Sequence, residues 1–274
     1  MLNHQTRLYC GGRFCLLPLL LLLVTAGTAW SQVEARDHFQ VKIGGFYDQG
    51  DFGTVDTTRV FFTPITLRYL GKRFDVSVTP SYAQVSTIGG VRLIDGIPTR
   101  TEPGTALVRD TRSGLGDTLV RGRIQLLEEG TAVPAVTPFV KVKIPTAREN
   151  LGLGTGKTDY GYGVEIDKQL LPVLLFGDLS YTIMGDLTGL DLQNRVGASF
   201  GVGGRVSESV VVSGLLEWRR SIFRGNPNPT ELVGVINYRL SPTVTVSPNV
   251  YAGLNDSSPD FGAGLEFSFR FGRY

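Results

Sequence analysis

From Arg36 to the end of the chain, apolar side chains recur at every second position in segment after segment. No stretch of ten residues there carries helical apolar spacing. Period-two alternation gives a strand one apolar and one polar face. The sets open with Phe39, Val41, Ile43 and Tyr47, continue with Phe61, Ile65, Leu67 and Tyr69, and close with Leu265, Phe267, Phe269 and Phe271. About twelve such segments can be counted, most of them near the length that crosses a bilayer when tilted.

The connections alternate in length. Leu70–Arg73, Glu128–Pro134, Lys168–Pro172, Arg205–Ser209 and Ser241–Pro242 are short. Asp48–Thr57, Gln84–Gly116, Thr146–Lys157, Gly185–Asp191, Arg219–Pro229 and Gly253–Asp260 are mostly longer. Even strand number with short turns at one rim and longer loops at the other describes an all-β fold, a transmembrane antiparallel barrel with both termini in the periplasm. The apolar sets carry no charge, while the opposite face holds Lys42, Asp75, Arg195, Glu231 and Glu266 among others. Tyr47, Tyr69, Tyr82, Tyr160, Tyr181, Trp218 and Tyr238 are expected near strand ends, where interfacial girdles lie. Pro64, Pro80, Pro138 and Pro248 fall inside strand patterns and predict local bulges, because proline removes a ladder donor.

Residues 1–31 are built differently. Arg7 and Arg13 precede an apolar run from Leu16 to Ala26, and Ala29-Trp30-Ser31 is a small-x-small site. This is the anatomy of a cleavable signal peptide, with a run too short for a spanning helix. The expected division is therefore a signal peptide at 1–31 and a single barrel at 32–274. Both basic residues of the leader belong to the total of 27, so the remainder is neutral, with 25 acidic residues to balance. Both cysteines, Cys10 and Cys15, also lie in the leader, which removes disulfides and thiol chemistry from the expected mature chain.

Several pieces carry a resemblance. They are Phe62-Thr63-Pro64-Ile65-Thr66-Leu67-Arg68-Tyr69, Arg73-Phe74-Asp75-Val76-Ser77-Val78, Ser113-Gly114-Leu115-Gly116-Asp117, Val142-Lys143-Ile144-Pro145-Thr146 and Leu153-Gly154-Thr155-Gly156 with Asp159-Tyr160. In order and spacing they resemble the outer-membrane barrel family of transporters linked to the meta pathway of phenol degradation, over roughly residues 58 to 186. The resemblance implies an outer-membrane channel for small organic molecules and leaves the substrate open.

Other motifs have plainer readings. Gly152-Leu153-Gly154-Thr155-Gly156-Lys157-Thr158 looks like a phosphate loop, but Leu151 stands where its first glycine belongs and a strand pattern follows instead of a helix. The expected role is a flexible external loop whose glycines supply positive φ. His38 is the one histidine beyond the leader, so no catalytic residue, cofactor or metal site is expected. Asp95-Gly96, between Leu93-Ile94 and Ile97, is a hairpin signal. The favoured expectation is a hairpin standing above the membrane; the alternative folds it inward to narrow a pore.

The charged face selects Arg68, Arg121, Arg123, Lys141, Lys143, Asp159, Glu165, Asp167, Asp178, Glu217, Arg239 and Arg270 as pore-lining. Counting through the turn at Glu128–Pro134 puts Arg121 opposite Lys141, with Arg123 and Lys143 nearby. Like charges opposed on a sheet need compensation, for which Asp159, Glu165, Asp167 and Asp178 are available. Either these pairs fill a closed lumen, or they face the bases across a wet constriction.

The functional expectation is a passive outer-membrane channel for small polar or aromatic solutes, and not an enzyme. The alternative is a closed structural or surface-interaction barrel. Expected partners are outer-membrane lipid, a small-molecule solute and the barrel-assembly machinery, which would read a terminal aromatic, Phe271 or Tyr274. No run of like charge suggests nucleic acid.

Overall fold

The computed structural model of the chain describes residues 38–52, 57–87, 91–94, 97–100, 110–186 and 192–272. The proposed leader, 1–31, lies outside them. The strands are β1 (His38–Gly50), β2 (Thr58–Leu70), β3 (Phe74–Thr79), β4 (Ser81–Thr87), β5 (Val91–Ile94), β6 (Ile97–Arg100), β7 (Asp110–Leu115) and β8 (Thr118–Ile124). They continue with β9 (Ala135–Ile144), β10 (Asp159–Leu170), β11 (Val173–Ile183), β12 (Arg195–Arg205), β13 (Val210–Arg219), β14 (Thr230–Arg239), β15 (Val244–Gly253) and β16 (Phe261–Phe271).

Each barrel strand pairs antiparallel with the next, and β1 closes the ring against β16 from Phe39 opposite Phe271 to Gln49 opposite Phe261. Because β3 with β4 and β7 with β8 each make one interrupted wall strand, the 14 strand segments of the sheet form a closed barrel of twelve. β5 and β6 are a separate hairpin. Both ends of the barrel, His38 and Phe271, lie at the short-turn rim, beside Leu70 and Phe39 respectively.

The alternation is realised throughout. Phe39, Leu67, Val140, Leu179, Phe200, Leu232 and Val250 point outward and are each more than half exposed. Such a belt is stable only against lipid. Tyr69 stacks with Phe39 at 5.2 Å and with Phe74 at 5.7 Å at the short-turn rim, and Tyr162 meets Tyr181 at 5.7 Å toward the other rim. Tyr82 departs from the expectation: it sits mid-strand, opposite Thr63.

The prolines act in two ways. Leu115 faces Tyr82 but Leu119 faces Thr79, so the wall strand opposite Pro80 carries one extra residue, a bulge at Gly116–Asp117. Arg123 faces Phe139 while Leu127 bridges Val136, which places a second bulge opposite Pro138. At Pro64 and Pro248 the ladder skips two pairs with no change of register, so no bulge forms there. The loop boundaries also move: β4 runs to Thr87 and β7 begins at Asp110, so both ends of the stretch Gln84–Gly116 belong to the barrel wall.

Inside, bulky groups lie over inward-facing glycines. The Phe46 ring covers Gly264 and Gly44, and the Phe176 ring covers Gly201, where a Cβ would lie 2.4 Å from the ring. Phe46, Leu174, Phe176, Leu215, Val233 and Tyr251 form an apolar cluster along β1 and β11 to β15. Charged side chains dominate around β3 and β8 to β10, and Asp178, Arg195, Glu217, Arg219 and Glu231 are buried on β11 to β14.

Candidate functional site

A cavity of about 140 Å³ occupies the charged side of the lumen, bounded by residues of β1 to β4, β8, β9 and β11 to β13. Its floor follows from the alternation. Arg121 faces Lys141 across β8 and β9, while Arg123 faces Phe139 and Lys143 faces Leu119.

Compensation runs as a ladder of alternating sign around the wall. Arg68 donates from Nε and Nη2 to the Asp75 carboxylate at 3.1 and 2.8 Å. Asp75 also receives Arg123, whose Nη2 lies 2.7 Å from Oδ2. Arg123 donates from Nη1 to Glu165 at 2.8 Å, and Arg121 donates from Nη2 to the other oxygen of Glu165 at 2.5 Å. To span β9 the Arg121 guanidinium lies over the Phe139 ring, 4.0 Å from its centroid. That ring in turn lies over Gly163, whose lack of a side chain makes the space.

A second knot sits toward the long-loop rim. Lys143 Nζ lies 2.6 Å from Asp159 and 3.3 Å from Asp117, and donates to Thr155 Oγ1 at 3.0 Å. Asp117 also accepts the Ala147 backbone N–H at 3.1 Å. Buried charges are tolerated only when paired and hydrogen-bonded in this manner. A Cβ at Gly154 would stand 2.9 Å from Asp117 Oδ1, and Gly152 and Gly156 adopt φ of 64° and 65°. The glycines therefore do supply positive φ, but the loop is not a loose external one: Leu153 and Thr155 are buried in the mouth.

The mouth is also covered from the opposite side. Leu93 packs with Val60, Ala83, Val85 and Leu153, and its N–H donates to the Gly152 carbonyl at 2.8 Å. Its neighbour Ile94 packs with Met184 and Ile222, beyond the far ends of β11 and β13. The β5–β6 hairpin forms as the sequence predicts, with Ile94 opposite Ile97. It does not stand clear of the barrel: its buried pair Leu93 and Ile94 ties one side of the mouth to the other, as in the inward-folded alternative.

All twelve residues selected from the sequence lie on inward-facing phases of their strands. Arg68, Arg121, Arg123, Lys141 and Lys143 border the cavity. Asp159 and Glu165 stand behind them as partners, and Asp178 accepts from Ser199. Glu217 lies 3.9 Å from Arg219, which also donates to Glu231. Asp167 and Arg270 face inward nearer the short-turn rim, and Arg239 donates there to the Glu208 carbonyl at 2.6 Å. The selection missed Asp75, Lys42, Arg195 and Glu231, which the alternation had placed on the charged face. Lys42 pairs with Glu266 at 2.8 Å across the closing seam. It also missed Asp117 and Arg219, at strand ends that read as loop.

Residues 36–271 match the model of the family described as "Putative MetA-pathway of phenol degradation". The chain belongs to this family. Three of the motif pieces that family resemblance rests on, Gly116-Asp117, Lys143 and Leu153-Gly154-Thr155, converge on the single buried knot at the mouth.

Among solved structures the family member is similar to an outer membrane channel from Pseudomonas putida F1, with a TM-score of 0.65, 13% identity, and coverage of 86% of this chain and 96% of that one. It is also similar to the NanC porin, with a TM-score of 0.52, 12% identity, and coverage of 85% and 100%. The KdgM porin matches with a TM-score of 0.51, 9% identity, and coverage of 84% and 99%. At these identities the likeness shows the fold, that of an outer-membrane barrel.

Proposed function

We propose that the barrel is a passive outer-membrane channel for small polar or aromatic organic solutes. The observation that carries this reading is the charged cavity inside a closed, lipid-belted barrel, since a lumen serving only as filler needs no such space. A water needs roughly 10–15 Å³ of such volume, so a cavity of 140 Å³ suits a solute of about ten heavy atoms. The description of the family, phenol degradation, suits a solute of that size.

In this reading residues 1–31 are removed on export and 32–274 form one barrel, inserted by the barrel-assembly machinery. The short-turn rim, with both termini, faces the periplasm. The inward charges act by position and field, with no catalytic role, and nucleic acid is no partner.

The test is conductance of the refolded mature protein in a planar bilayer, with heat-modifiable gel migration as the folding control. Discrete steps support the channel. A folded barrel that stays silent, with the hairpin intact and with residues 88–109 replaced by a short turn, overturns it in favour of a closed structural or surface-interaction barrel.

A further inference from the structure

We infer that the lumenal cavity is a binding site for a small organic monocarboxylate with an apolar body, such as an aromatic or branched aliphatic acid. The inference rests on the channel reading for how the ligand arrives, but binding itself requires only the folded barrel.

The first observation is the sign of the wall. Eight cationic side chains border the cavity, Arg121, Arg123, Lys141 and Lys143 among them, against two carboxylates, Asp75 and Asp117. Of the other acids, Glu165 in the ladder and Asp159 in the knot do not border it, and neither do Glu266 and Glu231, the partners of Lys42 and Arg219. Positive ends thus face the space while negative ends are set into the wall. A low-dielectric enclosure strengthens the resulting attraction for an anion.

Arg121 is a cation of this wall held in a fixed place. One face of its guanidinium is on Phe139 and Nη2 is on Glu165. Its Nε is buried with no acceptor in the protein. What Arg121 presents to the cavity is the rest of its guanidinium, away from Phe139, which suits a carboxylate attached to a flat or apolar group. Arg123 is held by Asp75 and Glu165 together, so this part of the wall is preorganised.

The third observation is the roof. Phe62, Ala83, Leu93, Leu119 and Leu153 border the same space. Chloride or phosphate would leave that apolar surface uncovered, and a neutral hydrocarbon would make no use of the positive field inside the cavity. A monocarboxylate of about ten heavy atoms uses both, and larger sugar acids exceed the volume.

The experiment titrates 4-fluorobenzoate against the refolded, heat-modifiable barrel in detergent, read by fluorine NMR. Saturable binding is expected, displaced by unlabelled benzoate, with 4-fluorobenzamide binding about tenfold or more weakly because it keeps the shape and loses the charge. Arg121→Met should weaken fluorobenzoate at least as much, and Arg121→Lys should restore part of the loss. If Arg121→Met does not fold, Lys141→Met, on the facing strand, serves in its place. Leu153→Ser should weaken benzoate while leaving the preference for acid over amide. Equal binding of acid and amide, or no saturation by either in a folded barrel, overturns the inference. A silent bilayer with intact acid-selective binding overturns the channel and supports the site; conducting steps without acid selectivity do the reverse.

Discussion

Lys143 and Asp159 face each other in the ladder between β9 and β10, with Nζ 2.6 Å from Oδ2 and both side chains all but closed to solvent. Lys143 links Asp159, Asp117 and Thr155 in the buried knot. Removing it takes a shared cation from two buried carboxylates, and breaking a buried pair from one side costs about 3–5 kcal/mol. Lys143→Met should therefore destabilise the refolded barrel by that order. Lys143→Met with Asp159→Asn should cost less than the two single changes added together. Urea unfolding followed by tryptophan fluorescence measures both; strict additivity would show that the pair is not coupled.

The outward face predicts a different sensitivity. Phe200, near the middle of β12, is 62% exposed, whereas its neighbour Ser199 turns inward and donates to Asp178. An arginine at the bilayer midplane costs roughly 2–4 kcal/mol. Phe200→Arg should lower stability by that amount in lipid vesicles, and Phe200→Leu should change it little. A tolerated arginine would mean that this face does not meet lipid.

How far the sequence discloses this architecture depends on the range of the interaction concerned. Lipid demands an apolar group at every second residue, so the phase of each strand is written locally, and the facing of Arg121 and Lys141 follows by counting through a short turn. The same phase places Asp75 on the inner wall, but its sharing between Arg68 and Arg123 depends on three strands meeting. The fate of Leu93 and Ile94 was not legible. An apolar pair beside an Asp-Gly turn reads alike whether the hairpin stands upright or folds inward, and the contacts that decide it, Leu153 for one and Met184 with Ile222 for the other, are distant in sequence. The bulge at Gly116–Asp117 is similarly hidden, because the extra residue shows only against Pro80 on the neighbouring strand.

Lys141 lies in the cavity wall beside the ladder and outside the knot, so its charge can be reversed at less structural risk than that of Lys143. If solutes and ions pass this wall, Lys141→Glu should shift permeability toward cations. An altered charge at close range in a partly wetted lumen is worth on the order of 1 kcal/mol, or about fivefold in the permeability ratio. The measurement is the reversal potential under a salt gradient, taken at low ionic strength to limit screening. An unchanged potential would remove Lys141 from the conducting path.

The tie across the mouth makes the last prediction. Leu93 joins the loop carrying Leu153 to the β2 and β4 side, while Ile94 reaches Met184 and Ile222. Among the described residues these contacts and the Leu93–Gly152 hydrogen bond hold the cap, whereas the barrel wall is held by ladders along its strands. Large-to-small changes at buried leucines cost about 2–5 kcal/mol, enough to release the hairpin without unfolding the barrel. Leu93→Ala and Leu153→Ala should each lengthen open times or raise single-channel conductance, and replacing residues 88–109 with a short turn should do so further, with heat-modifiable migration retained in all three. Conductance identical to the parent in all three would place the limiting constriction below the mouth, at the level of the Arg121–Glu165 ladder.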